Sequence, residues 1–219
     1  MFRKPTVNDG DAKRNIKWNQ QRWGQMSGWR EYDQYGYRWG KGHQQSVGDL
    51  AKLADDMFRP LTRGRHDLKI LEIAPGGGRF TAEIIRYARE LVLVDLNEAA
   101  IDVCRERFRY YPTPITYVTN DGASLGVVQD SDFDVLVCYD SMVHMHPDIV
   151  QSYVSDLPTL LISGGFAWLD HSGRGQREAG HRTAMTRELM SDFAEEAGLI
   201  VESQPYRNDW DCISVLRKP

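Results

Sequence analysis

The chain has 219 residues, a formal net charge of −4, 27 basic and 31 acidic side chains, and three cysteines. That length suits one α/β domain with a sizeable core. The mildly acidic balance argues against a nucleic-acid partner. No apolar run reaches the ~18–20 residues that cross a bilayer, and Met1–Pro5 lacks the apolar core of a secretory signal. Cys104, Cys138 and Cys212 are scattered without paired spacing, so the expectation is a cytoplasmic protein without disulfides.

Residues 1–42 differ from the rest and form the first of two expected regions, an aromatic-rich lid or strap. They hold four of the six tryptophans (Trp18, Trp23, Trp29 and Trp39). No long period is visible there, so irregular structure with one short helix near Asn15–Trp23 is predicted. Residues 43–219 read as a single domain. An amphipathic helix runs from His43 to Phe58 and should stop before Pro60. Then the pattern alternates: strand 68–74, helix 79–89, strand 91–95, helix 97–109 and strand 115–119. A turn at Asn120-Asp121-Gly122 follows, then strand 133–139, helix 147–160 and strand 164–170. Short unbroken Val/Leu/Ile runs between helices mark parallel strands buried on both faces. After an insertion at 172–183 come a helix at 184–197, capped by Gly198, and strands 199–205 and 211–217. Their short connection forces an antiparallel pair. The predicted fold is a Rossmann-like, seven-stranded, mostly parallel sheet with a C-terminal antiparallel hairpin and helices on both faces.

The most informative segment is Ile70-Leu-Glu-Ile-Ala-Pro-Gly-Gly-Gly-Arg79. An apolar strand breaks into three glycines and a helical pattern begins, which is how a ligand gains close approach to backbone. A second strand ends in Asp95, an acid placed to bind the two hydroxyls of a ribose. A nucleoside-bearing cofactor is therefore expected. A dinucleotide site would want Gly-x-Gly-x-x-Gly. Gly76 and Gly78 fit that pattern, but its third position is Thr81 and it leaves Glu72 without a role.

The pattern acid-x-small-x-Gly-x-Gly fits Glu72, Ala74, Gly76 and Gly78. With it, and with the reversed hairpin, residues 43–219 resemble the class I S-adenosylmethionine-dependent methyltransferases. The resemblance implies that the Glu72–Gly78 loop faces the methionine part of the cofactor and that Asp95, with Leu96 beside it, holds the ribose. It implies that Asn120, Asp121 and Gly122 read the adenine, with Asp121 accepting from its amino group. Tyr139 and Asp140 would line the methyl-donor pocket. Ala74 departs from the pattern, where glycine is more usual. The product left in the site would be S-adenosylhomocysteine.

On the acceptor side, two clusters fall at the carboxyl ends of strands, where ligands bind in open α/β sheets. They are Asp140-Ser-Met-Val-His144-Met-His146 and Asp170-His171-Ser172. An imidazole is a suitable base near neutral pH, so His171 or His144 is the candidate base, oriented by Asp140 or Asp170. These four are also readable as metal ligands, but the spacing is generic and no metal is assigned. The first cluster and a Tyr37-Arg-Trp39-Gly40 segment resemble a bacterial subgroup of the same family, which adds Trp39 to the cofactor wall and favours a lid. Arg174 and Arg182 are candidates for gripping a substrate phosphate or carboxylate, against the plainer reading of solvated loop charges. The expected activity is O-methylation of a small-molecule hydroxyl, on a sugar or a phosphorylated metabolite. N-methylation of an amine, a non-catalytic cofactor-binding subunit and a dinucleotide oxidoreductase are the alternatives. Oligomeric state is not legible.

Overall fold

A computed structural model of the chain describes residues 10–24, 35–36, 47–175 and 183–219. Its centre is a seven-stranded sheet in the order β3-β2-β1-β4-β5-β7-β6. The strands are β1 (Leu68–Ile73), β2 (Ala88–Asp95), β3 (Ile115–Thr119), β4 (Phe133–Cys138), β5 (Leu161–Ser172), β6 (Ile200–Ser203) and β7 (Asp211–Arg217). The first five pair in parallel, and β7 runs antiparallel between β5 and β6. This is the fold class expected from the sequence, including the reversed hairpin.

Side chains alternate across the sheet with the strand period of two. Leu71, Ile73, Val92 and Val94 enter one core, which Ala12 of α1 (Gly10–Gly24) and residues of α5 (Pro147–Leu160) and α6 (Arg187–Glu196) complete. Leu68, Ile70, Leu91 and Leu93 enter the other, closed by α2 (Val47–Thr62), α3 (Thr81–Ile84) and α4 (Glu98–Arg107). Both faces are covered, which is why the central strands read as unbroken apolar runs.

Several boundaries move from their expected places. The predicted helix at 79–89 contracts to α3 and a 3-10 turn over Ile85–Tyr87, because Ala88 already pairs with Leu68 as the start of β2. Helix α2 continues through Pro60 to Thr62. A proline in the last turn loses one hydrogen bond near an end where the ladder is already incomplete. At the amino end, the short helix expected near Asn15–Trp23 extends to the 15 residues of α1.

The β5 boundary has consequences for the site. The strand keeps its pairing with β7 as far as Ser172↔Asp211, two residues past its expected end at 170. Asp170 and His171 are therefore strand residues inside the sheet.

Candidate active site

A cleft of about 380 Å³ opens across the carboxyl ends of the parallel strands. One wall is the loop after β1. Its backbone turns through Ala74, Gly76 and Gly78, at φ +55°, +56° and +77°. Left-handed backbone costs a residue with a Cβ roughly 1–2 kcal/mol, which gives the physical reason that glycine is the more usual residue at position 74. Ala74 is held there by a hydrogen bond from its N–H to the Val94 carbonyl at 2.7 Å, while its own carbonyl accepts from the Ser141 hydroxyl at 3.1 Å. Gly77 is needed for a different reason. A Cβ there would lie 2.8 Å from the Tyr35 Cα, so the Tyr35–Gly36 turn seats directly on the loop. Arg107 locks this arrangement by donating to the Gly77 and Gly78 carbonyls at 2.9 and 2.8 Å, with its guanidinium 4.3 Å from the Tyr35 ring centroid.

Glu72, Gly76, Asp95 and Leu96 line the cleft together with Asn120 and Gly122. The Asp95 carboxylate accepts from the Gly76 N–H at 3.2 Å and the Asn97 N–H at 2.9 Å. Burial pushes its pKa up to about 6, against those backbone donors. Glu72 is pushed further, to about 8, mainly by burial, although the Thr81 hydroxyl donates to it at 2.6 Å. At neutral pH Glu72 is thus mostly a neutral acid, while Asp95 is mostly a carboxylate facing the cleft. Across from them, Asn120 donates to the Tyr153 hydroxyl at 2.7 Å. A Cβ on Gly122 would come within 2.9 Å of Leu96 and 3.2 Å of Ile16 from α1. Leu96, Ile16 and the Gly122 backbone therefore pack against one another too closely to admit even a methyl group, and together they form an apolar stretch of the cleft wall.

Two residues expected on this wall sit elsewhere. Gly78 faces away from the cleft, where a Cβ would strike Phe108 at 2.6 Å and Cys104 at 3.3 Å, so its requirement is packing against α4. Asp121 is exposed and absent from the cleft wall, and one carboxylate oxygen accepts from the Ala123 and Ser124 N–H groups at 2.8 and 3.1 Å. It shapes the turn that presents Asn120 and Gly122. Trp39, His181 and Arg182 lie outside the described residues.

The far end of the cleft is built on Tyr139 and Asp140 at the end of β4. Tyr139 stacks on Phe80, with centroids 4.7 Å apart, and on Trp168 at 5.9 Å. Asp140 has φ +54°. Its Oδ2 accepts from Arg79 at 2.7 Å and its Oδ1 from Arg207 at 3.1 Å. Burial alone would raise its pKa, but these two guanidiniums hold the carboxylate below its ordinary range. Arg207 also reaches Asp170 at 3.0 Å and Asp211 at 3.1 Å, and both of those side chains are fully buried. Three carboxylates thus converge on one arginine.

His144 lines this end of the cleft, its ring 5.2 Å from the Trp23 ring of α1. His171 does not share it. His171 is fully buried, with Nε2 2.7 Å from the Ser214 hydroxyl and Nδ1 2.8 Å from the Ser172 carbonyl. Burial lowers its pKa to about 4, so it is neutral at every ordinary pH. Asp170 lies beneath Asp140, accepting the Asp140 N–H at 2.9 Å, and burial raises its pKa to about 7. The expected convergence of His144 and His171 on one cleft therefore fails, because β5 runs on through His171 and turns its ring into the sheet. Among the described residues no three His, Cys, Asp or Glu side chains form a metal-binding group.

Sequence reasoning passed over Arg79, Arg207 and the α1 side chain Asn19, all of which line the cleft, as does Trp23 of the expected aromatic lid. A signal existed for Arg207. Because β7 is antiparallel, the connection before it must return to the carboxyl edge of the parallel strands, where ligands bind.

The profile of the methyltransferase domain family matches residues 70–165, which runs from β1 into β5. The fold recurs in solved structures. One is an S-adenosylmethionine-dependent methyltransferase from Clostridium acetobutylicum, with TM-score 0.70, 12% identity, 85% of this chain and 98% of that one. Another is magnesium protoporphyrin IX methyltransferase from Synechocystis with its bound methyl donor, with TM-score 0.70, 13% identity, 94% of this chain and 97% of that one. A curated relative, the biotin biosynthesis bifunctional protein BioHC of Cellvibrio japonicus, is 29% identical over 135 residues. That match covers 61% of this chain, which spans about a quarter (24%) of the relative's length. Residues 70–165 thus resemble a methyltransferase domain, set in a fold that S-adenosylmethionine-dependent methyltransferases share.

Proposed function

We propose that the protein transfers a methyl group from S-adenosylmethionine to the hydroxyl of a small molecule, a sugar or a phosphorylated metabolite being the leading acceptor class. The observation that carries this reading is the charge division of the cleft. A carboxylate at Asp95 stands between a glycine loop and the apolar wall of Leu96, Ile16 and Gly122, while a separate polar end is built from Asp140, His144 and Arg207. A nucleoside with an amino-acid tail matches the first part. Its ribose diol would donate to Asp95, its ring would lie against the wall formed by Leu96 and Gly122, and its tail would lie along the loop near Glu72.

When bound, the cofactor supplies a methyl group already activated on a sulfonium sulfur. What the protein contributes is placement of the acceptor, exclusion of water and a destination for the hydroxyl proton. His144 takes that proton. Asp140, held ionised by Arg79 and Arg207, stabilises the imidazolium that results. Helix α1, with Trp23 against His144, covers the acceptor end, and the aromatic face of Trp23 suits a sugar ring. On this reading helix α1 and the Tyr35–Gly36 turn serve as lid elements over the cleft.

Calorimetry with S-adenosylhomocysteine tests the cofactor assignment. Asp95→Ala should weaken binding by the ~1.5–3 kcal/mol of a charge-assisted hydrogen bond. An unchanged dissociation constant, or heat from a nicotinamide dinucleotide instead, overturns it. A panel of sugars and phosphorylated sugars then tests the acceptor class.

A further inference from the structure

We propose a second binding subsite, for a phosphoryl or carboxylate group, beside the acceptor end of the cleft, where Arg174 and Arg187 meet over the ring of Tyr206. The Arg174 guanidinium lies 4.6 Å from the Tyr206 ring centroid and that of Arg187 5.1 Å from it. Backbone contacts bring the two together. Arg174 bridges antiparallel to Thr186, and the Gly175 N–H donates to the Met185 carbonyl at 3.0 Å. Tyr206 is fixed in turn, since its hydroxyl donates to the Gly173 carbonyl at 3.3 Å and its ring packs where a Cβ on Gly173 would stand.

Two guanidiniums share one small ring, and among the described residues neither has an ion pair. Glu188, the exposed acid next to Arg187, takes its hydrogen bonds from its own backbone N–H and the Thr186 hydroxyl and meets Arg187 only through its field. Arg187 Nε is buried and, among the described residues, without a hydrogen-bond partner. Each guanidinium lies within about 5 Å of that one ring, so two positive charges add their fields around it, and a buried donor left without an acceptor is unfavourable. An oxyanion relieves both terms, and the forked guanidinium is the side chain suited to grip one.

The position ties this subsite to the cleft. Tyr206 immediately precedes Arg207, and Arg207, Asn208 of the same connection and Asp211 at the start of β7 line the cleft. An acceptor whose hydroxyl sits by His144 would extend its anionic end over Tyr206. That last step rests on the methyltransferase reading; the subsite itself does not.

The probe is inorganic phosphate, titrated at constant ionic strength set with chloride, with the Arg187 Nε–H resonance followed by NMR and the affinity by calorimetry. Saturable binding that moves this resonance is expected. Arg174→Gln and Arg187→Gln should each weaken it about tenfold or more, and Arg187→Lys should lose less than Arg187→Gln. Affinity for S-adenosylhomocysteine, unchanged in all three, certifies the fold. Succinate in parallel sorts the ligands: phosphate alone assigns a phosphoryl site, and both assign a general oxyanion site. A resonance that neither anion moves, or equal phosphate affinity in the Arg174→Gln/Arg187→Gln double variant, overturns the proposal. Phosphate binding without any S-adenosylhomocysteine binding would instead remove the cofactor assignment and leave the subsite standing.

Discussion

Asn15 of α1 holds the backbone of His144 and of the residue two beyond it at the same time. Its amide nitrogen donates to the His144 carbonyl at 3.0 Å, and its amide oxygen accepts the His146 N–H at 3.0 Å. Asn19 adds a second donor to the His144 carbonyl at 3.1 Å, and Trp23 donates to the Asn19 amide oxygen at 3.1 Å. The amino-terminal helix is thus bolted to the segment that presents His144. Asn15→Ala removes both backbone contacts and leaves the His146 N–H unpaired, a loss of about 1–3 kcal/mol. Limited proteolysis should then cut within 10–24 faster than in the parent, with S-adenosylhomocysteine affinity less affected than turnover. Equal cleavage rates would show that α1 is held by its apolar contacts alone.

The limits of β3 and α5 fall where the sequence pattern sets them, at Ile115–Thr119 and Pro147–Leu160. Both have clear punctuation: a proline opens α5, and the Asn-Asp-Gly turn closes β3. The glycine loop and Asp95 were legible for the same reason, since local backbone chemistry dictates them. What was hidden depends on distant chain segments. Arg107 reaches the Gly77 and Gly78 carbonyls, Arg207 reaches Asp140 and Asp170, and Asn15 reaches His144. No local period encodes such contacts. The error at His171 is of the opposite kind. Its Asp-His-Ser run looked like a strand end, and only the pairing with Cys212 reveals that the ladder continues.

Glu72 sets an unusual pH dependence. Its pKa is about 8 in the fold against an ordinary 4.5. As pH rises between those values the unfolded chain releases a proton that the folded chain keeps, so stability falls, by up to about 1.4 kcal/mol per pH unit. Asp170, raised to about 7, acts in the same sense but finishes earlier. His171, lowered to about 4 from 6.5, acts oppositely, losing stability as pH falls through that window, and is silent above it. From about pH 7 to 8 the slope therefore belongs mainly to Glu72. The unliganded protein should melt at a lower temperature at pH 8 than at pH 7, and Glu72→Gln should flatten that difference. A melting temperature that climbs over the same interval in the parent refutes the assignment.

Arg207 is the counter-charge for Asp140, Asp170 and Asp211. Arg207→Gln leaves buried carboxylates without it, and breaking a buried pair by removing one partner costs roughly 3–5 kcal/mol. Asp170→Asn takes away one of the abandoned charges. The double variant Arg207→Gln/Asp170→Asn should therefore be more stable in urea than Arg207→Gln alone. Losses that simply add would mean that Arg207 contributes by packing on Tyr139, whose ring centroid lies 5.2 Å from its guanidinium.

The two histidines should separate cleanly. With an acceptor that the panel identifies, His144→Ala should lower kcat by the ~10²–10⁴ typical of a lost general base, leaving S-adenosylhomocysteine affinity and melting temperature near the parent's. His171→Asn should do the reverse. It breaks the contacts to Ser214 and the Ser172 carbonyl inside the sheet, costing about 1–3 kcal/mol of stability, while the folded fraction keeps its kcat and its pH profile. The acid limb of that profile should disappear only in His144→Ala. If His171→Asn abolishes turnover in a protein that still melts like the parent, the base has been placed on the wrong strand end. If both variants turn over normally, the acceptor atom needs no base, and an amine replaces the hydroxyl as the group methylated.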